Sequence, residues 1–289
     1  MANVYTFAAS RMEAAPVRKL MEPGAALRWS ARIDGSIGSN TVISVISGMG
    51  PANARKSANA VFAAISSLSS LSSLSSLSGG ATVSAAAMDS SGGSSGLALR
   101  VNSKVAPSGN DVVLIIGLAG SLTHSIGEGD LALYRSVLTP TGECCALSEK
   151  LNERITARLL GAGIAHNLVT GVSQARIAAT LREKRDLAAT GAGVVDMESY
   201  ELASASVRAG LPVAVVRVIS DNVDKPMPDF NSALNSSGEF FPLALAIACL
   251  RRPAATFSLM KSSRRALNTL GLALKAILST DLTPGGGRV

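Results

Sequence analysis

Short apolar runs recur along the chain, and each ends in small or polar residues. They are VYTFAAS from Val4, NTVISVIS from Asn40, DVVLIIGLAGS from Asp111, DLALY from Asp130, NLVTGVS from Asn167, GVVDMES from Gly193 and PVAVVRVISD from Pro212. Runs of this length, rich in Val and Ile, predict β-strands. Between several of them, segments such as ANARKSANAVFAAI from Ala52 and ALSEKLNERITARLLGAG from Ala146 space their apolar residues as helices do. Strands alternating with helices predict an α/β fold with a central mixed β-sheet flanked by helices. VVLII and VAVV are uninterrupted, as expected of strands covered on both faces.

Two stretches break the pattern. From Ser66 to Gly109 the chain turns to SSLSSLSSLSSLSGG and SSGGSSG, whose triplet period gives no wide apolar face on a helix. Such a segment buries too little surface to offset its ordering entropy, so residues 66–109 are expected to be a flexible Ser/Gly-rich insertion. It interrupts a catalytic domain spanning residues 1–250, followed by a basic amphipathic helix and tail over 251–289. In that tail Lys261, Arg264, Arg265 and Lys275 fall on one arc, with Leu259, Leu267, Leu270, Leu274 and Ile277 opposite. Its basic face is expected to be a solvated face of a peripheral helix; the alternative is peripheral contact with an anionic membrane.

Composition narrows the classes of function. The formal net charge of +7 is concentrated after residue 250, where Arg251, Arg252, Lys261, Arg264, Arg265, Lys275 and Arg288 face a single acid, Asp281. A nearly neutral body and 3% aromatic residues argue against a nucleic-acid-binding surface. Cys144, Cys145 and Cys249 form neither a CxxC pair nor a disulfide framework, and His124 and His166 lack metal-ligand spacing, so no metal is expected. The N-terminus has the character of a first strand rather than a signal peptide, and FFPLALAIACL is too short to span a membrane. A cytoplasmic protein is expected.

The unusual polar residues cluster just after apolar runs, where open α/β sheets place their ligand crevice. Glu13 follows the first run, SGMGPANA the second and GLAGSL the third; Asp196 and Glu198 close GVVDMES, and Ser220 and Asp221 close VAVVRVISD. GMGPANA departs from a dinucleotide fingerprint, because Asn53 stands at its third glycine and no acid follows about 20 residues on. No nicotinamide or flavin is therefore expected. Gly48, Gly50, Gly117 and Gly120 instead offer backbone N–H groups that approach a small ligand closely. GLAGSL lacks the nucleophile elbow of a serine hydrolase. Carboxylates around one cleft suit a reaction that builds positive charge on a sugar while a leaving group gains a proton, as glycosidic cleavage does.

The ordered set SGMGPANA, GLAGSL, VDMES and VVRVISD resembles the nucleoside phosphorylase and nucleosidase superfamily over roughly residues 1 to 65 and 110 to 245. It looks most like methylthioadenosine/S-adenosylhomocysteine nucleosidases and hopanoid-associated phosphorylases. The resemblance implies a three-layer fold, a purine nucleoside substrate, water or inorganic phosphate as co-substrate without a cofactor, and a homodimer or larger assembly. It implies that Glu198 receives the ribose hydroxyls, that Met197 packs on the sugar, and that Asp221, steadied by Ser220, protonates the purine. That role asks Asp221 to hold a proton at neutral pH, which poor solvation favours. Glu13 matches the acid that orients the attacking water in hydrolytic members, and Ala119 and Gly120 line the base and ribose pocket. Asp196 has two readings at even weight, support of Glu198 and a structural ion pair or cap.

Two departures bear on the reaction. Leu118 stands where many members carry a hydroxyl that contacts nucleophile or phosphate, and LVTGVSQARI lacks the Phe with which nucleosidases stack the purine. Hydrolysis of an adenosine-type nucleoside is the leading expectation. Phosphorolysis of an adenosyl lipid and non-catalytic nucleoside binding are the alternatives.

Overall fold

The structure is a computed structural model that describes residues 3–21, 32–75, 110–224, 230–233, 247 and 249–282. Of the Ser/Gly-rich segment expected at 66–109, residues 76–109 lie outside the described residues, as does the tail beyond 282.

Strand β1 (Asn3–Ala8) lies between β3 (Asn40–Ile46) and β4 (Val112–Ser121), parallel to both. An edge strand, β2 (Arg32–Ile37), pairs antiparallel with β3. On the other side β4 runs parallel to β9 (Val213–Asp221), which pairs antiparallel with β5 (Leu131–Leu138). Strand β5 also holds the short β6 (Cys144–Ala146) and, in parallel, β7 (Asn167–Ser173). Parallel to β7 comes β8 (Val194–Asp196), which returns antiparallel to the end of β4 through Gly120↔Val195. The path β4–β9–β5–β7–β8–β4 is therefore a closed ring, extended on one flank by β1, β3 and β2. The sheet is mixed, as the alternation of runs implies. The two short or polar strands, β2 and β6, carry no apolar run that would announce them.

Strand periodicity sorts side chains into two cores. Val4, Leu114, Ile116, Val216 and Val218 pack with α1 (Arg11–Leu20), α3 (Glu149–Gly161) and α6 (Pro253–Leu278). Tyr5, Phe7, Val113, Ile115, Val215 and Ile219 face the opposite way, onto α2 (Pro51–Ser75) and α5 (Ser199–Arg208). Helices thus cover both faces, which explains the continuous apolar runs of β4 and β9.

Helix α2 differs from the expectation at one end. It continues through Ser66 to Ser75, into the Ser-rich stretch expected to be flexible. Once the apolar turns before Ile65 have formed, adding residues costs one backbone bond's worth of ordering at a time, so a weak helix former is carried along. On α6, Leu270, Leu274 and Ile277 are buried while Lys261, Arg264, Arg265 and Lys275 face solvent.

Candidate active site

The carboxyl ends of parallel β1, β3, β4 and β9 meet the end of β8, and this places acids from distant parts of the chain side by side. Ser10 caps α1 by accepting a hydrogen bond from the Glu13 amide at 3.3 Å, and its hydroxyl donates back to Glu13 Oε2 at 3.2 Å. This reciprocal cap holds Glu13 in the first turn, pointed across the sheet. There Glu13 Oε1 accepts the Leu118 N–H at 2.8 Å.

Asp196 and Glu198 divide their work. Asp196 Oδ1 accepts from the amides of Glu198 at 3.2 Å and Ser199 at 3.0 Å, so it acts as the cap of α5. It also accepts hydroxyl hydrogen bonds from Ser173, Ser199 and Tyr134 at 2.5, 2.5 and 3.1 Å. Asp196 is saturated by protein donors, and its structural role is the one the contacts describe. Glu198, at the N-cap position of α5, has no side-chain capping bond. Its Oε1 accepts the Gly50 N–H at 2.8 Å, in the turn between β3 and α2. A Cβ built on Gly50 would lie 3.9 Å from the methyl of Met197, so Met197 stands over the same turn.

The cation that these acids share is Arg217, in the middle of β9 and fully buried. Its guanidinium lies 3.4 Å from Asp196, 3.6 Å from Glu198 and 3.9 Å from Glu13, and donates to Ser199 Oγ at 3.0 Å. Gly117 makes room for it. Paired with Arg217 across the β4–β9 ladder, Gly117 has φ +150, and a Cβ there would collide with the guanidinium and come within 2.5 Å of Glu13 Oε1. Three buried carboxylates thus surround one guanidinium. Burial, above all, and then the neighbouring Glu13 and Asp196 charges push Glu198 up to about 7, against the pull of Arg217. For Arg217, burial disfavours the charge, but Asp196 first, then Glu198, outweigh it and hold the guanidinium above its ordinary value.

Asp221, at the end of β9, sits on the neighbouring side of the β4 terminus. A Cβ at Gly120 would stand 2.9 Å from Asp221 Oδ2, so the absence of a side chain lets the carboxyl lie against β4. Ser220 donates to Asp221 Oδ1 at 3.0 Å and lies 3.3 Å from the Ala119 carbonyl oxygen. The second oxygen, Oδ2, receives the ammonium of Lys184 at 2.5 Å. Burial raises the Asp221 carboxyl above its ordinary value, and the Lys184 charge opposes that rise.

The structure therefore brings Glu13, Met197, Glu198, Ser220, Asp221, Leu118, Ala119, Gly120 and Gly50 to one end of the sheet, with Gly48 in the same β3–α2 turn. Sequence reasoning missed Arg217 and Lys184. Arg217 left a signal: a single charge inside the apolar run VAVVRVISD must meet carboxylates if the strand is buried. Lys184 left none, because in LREKRDLA it is one charge among neighbours that face solvent. Among the described residues no group of His, Cys, Asp and Glu is arranged to hold a metal.

Comparison with known proteins agrees with the fold. The profile of the Phosphorylase superfamily matches residues 31–248, most of the chain. The chain belongs to that superfamily. It is an enzyme of the nucleoside phosphorylase and nucleosidase group, and Glu13 lies ahead of the matched span. Its fold is similar to that of futalosine hydrolase from Helicobacter pylori, at 17% identity and a TM-score of 0.61 over 96% of this chain and 97% of that one. It is also similar to 5′-methylthioadenosine/S-adenosylhomocysteine nucleosidase from Neisseria meningitidis bound to methylthio-immucillin-A, at 14% identity and a TM-score of 0.65, covering 96% and 99%. The Streptococcus pneumoniae MTA/SAH nucleosidase bound to 8-aminoadenine matches at 14% identity and a TM-score of 0.60, with 96% and 99% covered. No curated protein matches the sequence.

Proposed function

We propose that this phosphorylase-superfamily enzyme hydrolyses the N-glycosidic bond of an adenosine-type nucleoside, with water as the acceptor. The observation that supports the reading is the charge arrangement: Glu13, Asp196 and Glu198 face a single guanidinium, so the site carries an excess of negative charge when its acids are ionised. Such a site favours a guest that becomes cationic, as a ribose does while its base departs, and disfavours an anion such as phosphate. In this reading Glu198 accepts the 2′- and 3′-hydroxyls, and Met197 packs on the sugar. Glu13 takes a proton from the attacking water. Asp221 delivers one to the purine, its orientation fixed by Ser220. Leu118, whose amide is committed to Glu13, adds no hydroxyl for phosphate.

A second reading is phosphorolysis of a lipid-linked adenosyl nucleoside. Phe257 and Met260, large and exposed on α6, lie beside exposed Lys261, Arg264 and Arg265, and such a face suits an anionic membrane that carries the substrate. Assembly as a homodimer or larger belongs to both readings. The test is release of free adenine from methylthioadenosine, S-adenosylhomocysteine and adenosine, with and without phosphate. Hydrolysis predicts equal rates in both conditions, and loss of roughly two to four orders of magnitude in Asp221→Asn. Release that needs phosphate favours the second reading, and no release from any of the three overturns the first.

A further inference from the structure

Lys184 is completely buried, yet it projects from the first turns of α4 (Leu181–Ala188), where a positive charge opposes the helix dipole. Burying an ammonium is costly unless it is paired and hydrogen-bonded. Its two protein partners are both close: Asp221 Oδ2 at 2.5 Å and the Asn222 carbonyl oxygen at 2.6 Å. The start of α4 is fixed by a complete capping box, in which Thr180 and Glu183 satisfy each other's backbone amides. The helix therefore presents Lys184 to the end of β9 in one orientation. A fully buried lysine held this firmly on the acid that the proposed reaction uses as proton donor calls for a chemical reason.

The reason lies in what Asp221 has to do. The Lys184 charge opposes the rise that burial gives Asp221 and so favours its carboxylate form, which accepts hydrogen bonds but has no proton to give. A departing purine needs a donor. Resting on the hydrolytic reading above, we infer that Lys184 is a positioning residue and proton reservoir for leaving-group departure, acting through Asp221. The pair holds one mobile proton on a short N–H···O contact. As the C1′–N9 bond breaks, its electron pair passes to the purine. A proton moves from Lys184 Nζ to Asp221 Oδ2, and Asp221 passes a proton to the purine ring nitrogen. Water adds to C1′ and loses a proton to Glu13. The cycle then leaves a neutral Lys184 amine and a protonated Glu13, and one proton exchanged through solvent after product release restores both. The Asn222 carbonyl keeps the amine aimed at Asp221 in either state.

A purely structural ion pair and a proton reservoir are separated by the leaving group. Purine release needs protonation; release of 4-nitrophenolate from 4-nitrophenyl β-D-ribofuranoside does not, because the phenolate is stable as an anion. In Lys184→Met, kcat for adenine release is expected to fall at least ~100-fold, while kcat for the nitrophenyl riboside stays within a few-fold of wild type. Lys184→Arg, which keeps a charge near Asp221, should restore part of the purine rate but not all, since guanidinium gives up a proton far less readily. Equal losses on the two substrates, or no loss on either, overturn the inference. Should Lys184→Met fail to fold by circular dichroism, Lys184→Gln is read by the same two-substrate ratio. A wild-type enzyme that releases adenine from no nucleoside overturns the hydrolytic reading and this inference with it. An active wild type with an indifferent Lys184 overturns the inference alone.

Discussion

Glu198 is the residue at which charge, stability and chemistry meet. It is an acid whose folded value, about 7, lies above its ordinary 4.5, chiefly because burial disfavours its charge. The folded protein therefore keeps a proton, between these values, that the unfolded chain gives up. The sign follows: this group's contribution to stability is complete below about 4.5 and is lost as pH rises through about 7. Glu198→Gln has no such loss. Its stability advantage over wild type should grow from pH 4.5 to 7.5, to on the order of 3 kcal/mol, in urea unfolding followed by circular dichroism. Activity should run the other way. A carboxylate accepts the ribose diol better than a carboxylic acid does, so kcat/KM should rise with pH along a limb near 7. A stability difference that is flat across this range would remove the case for a strained, functional acid. The two carboxylates of VDMES were legible in the sequence as an anomaly, and the family resemblance set Glu198 apart from Asp196, but the partners of Asp196 were not legible. Hydroxyls on Ser173, Ser199 and Tyr134 saturate Asp196, and those partners come from three different elements.

At the scale of elements, the site depends on where strands stop and where one of them has no side chain. The ends of β1, β3, β4 and β9 were readable because each apolar run breaks into small or polar residues. The closed ring was not. Its closure rests on β8, three residues long, and on β5 meeting β9 antiparallel, and neither leaves a pattern in the chain. Gly117 sat inside a recognisable glycine-bearing stretch, yet its role is visible only once β4 and β9 are paired. Gly117→Ala places a methyl against both Arg217 and Glu13, in a backbone conformation that alanine rarely adopts. The buried guanidinium is held in place there by Asp196, Glu198 and Glu13. The variant should lose roughly 1–3 kcal/mol of stability. Its purine release should fall by more than that loss of folded protein accounts for, because Glu13 is displaced from the Leu118 amide. The check is to measure turnover on the fraction that remains folded, by comparing active-site titration with the unfolding curve. Wild-type turnover per folded molecule would mean that Glu13 need not be held where it is.

The whole molecule is divided by charge as well as by layers. The chain carries +7, and most of that excess lies after residue 250, on a segment whose helix α6 closes one core with Leu270, Leu274 and Ile277. The sequence made that division plain, because charge and apolar spacing are local properties. It could not say which large apolar side chains the body would leave uncovered. At about 100° per residue, Phe257, Met260, Lys261, Arg264 and Lys275 share one side of α6, and all are exposed. Among the described residues no helix is long and apolar enough to cross a membrane, so any contact through this side would be peripheral. Each basic residue near an anionic surface is worth about 1 kcal/mol, and two inserted apolar side chains would add to it. On the second reading, in which the substrate is membrane-borne, the enzyme sediments with vesicles containing phosphatidylserine and leaves them at high salt, where the Debye length shrinks to about 3 Å at 1 M. Phe257→Ser with Met260→Ser should weaken sedimentation several-fold without changing purine turnover, since both side chains face away from the core that α6 shares with the sheet. Equal recovery with neutral and anionic vesicles would leave the basic face with a purely solvating role, and would take away the observation that favours a membrane-borne substrate.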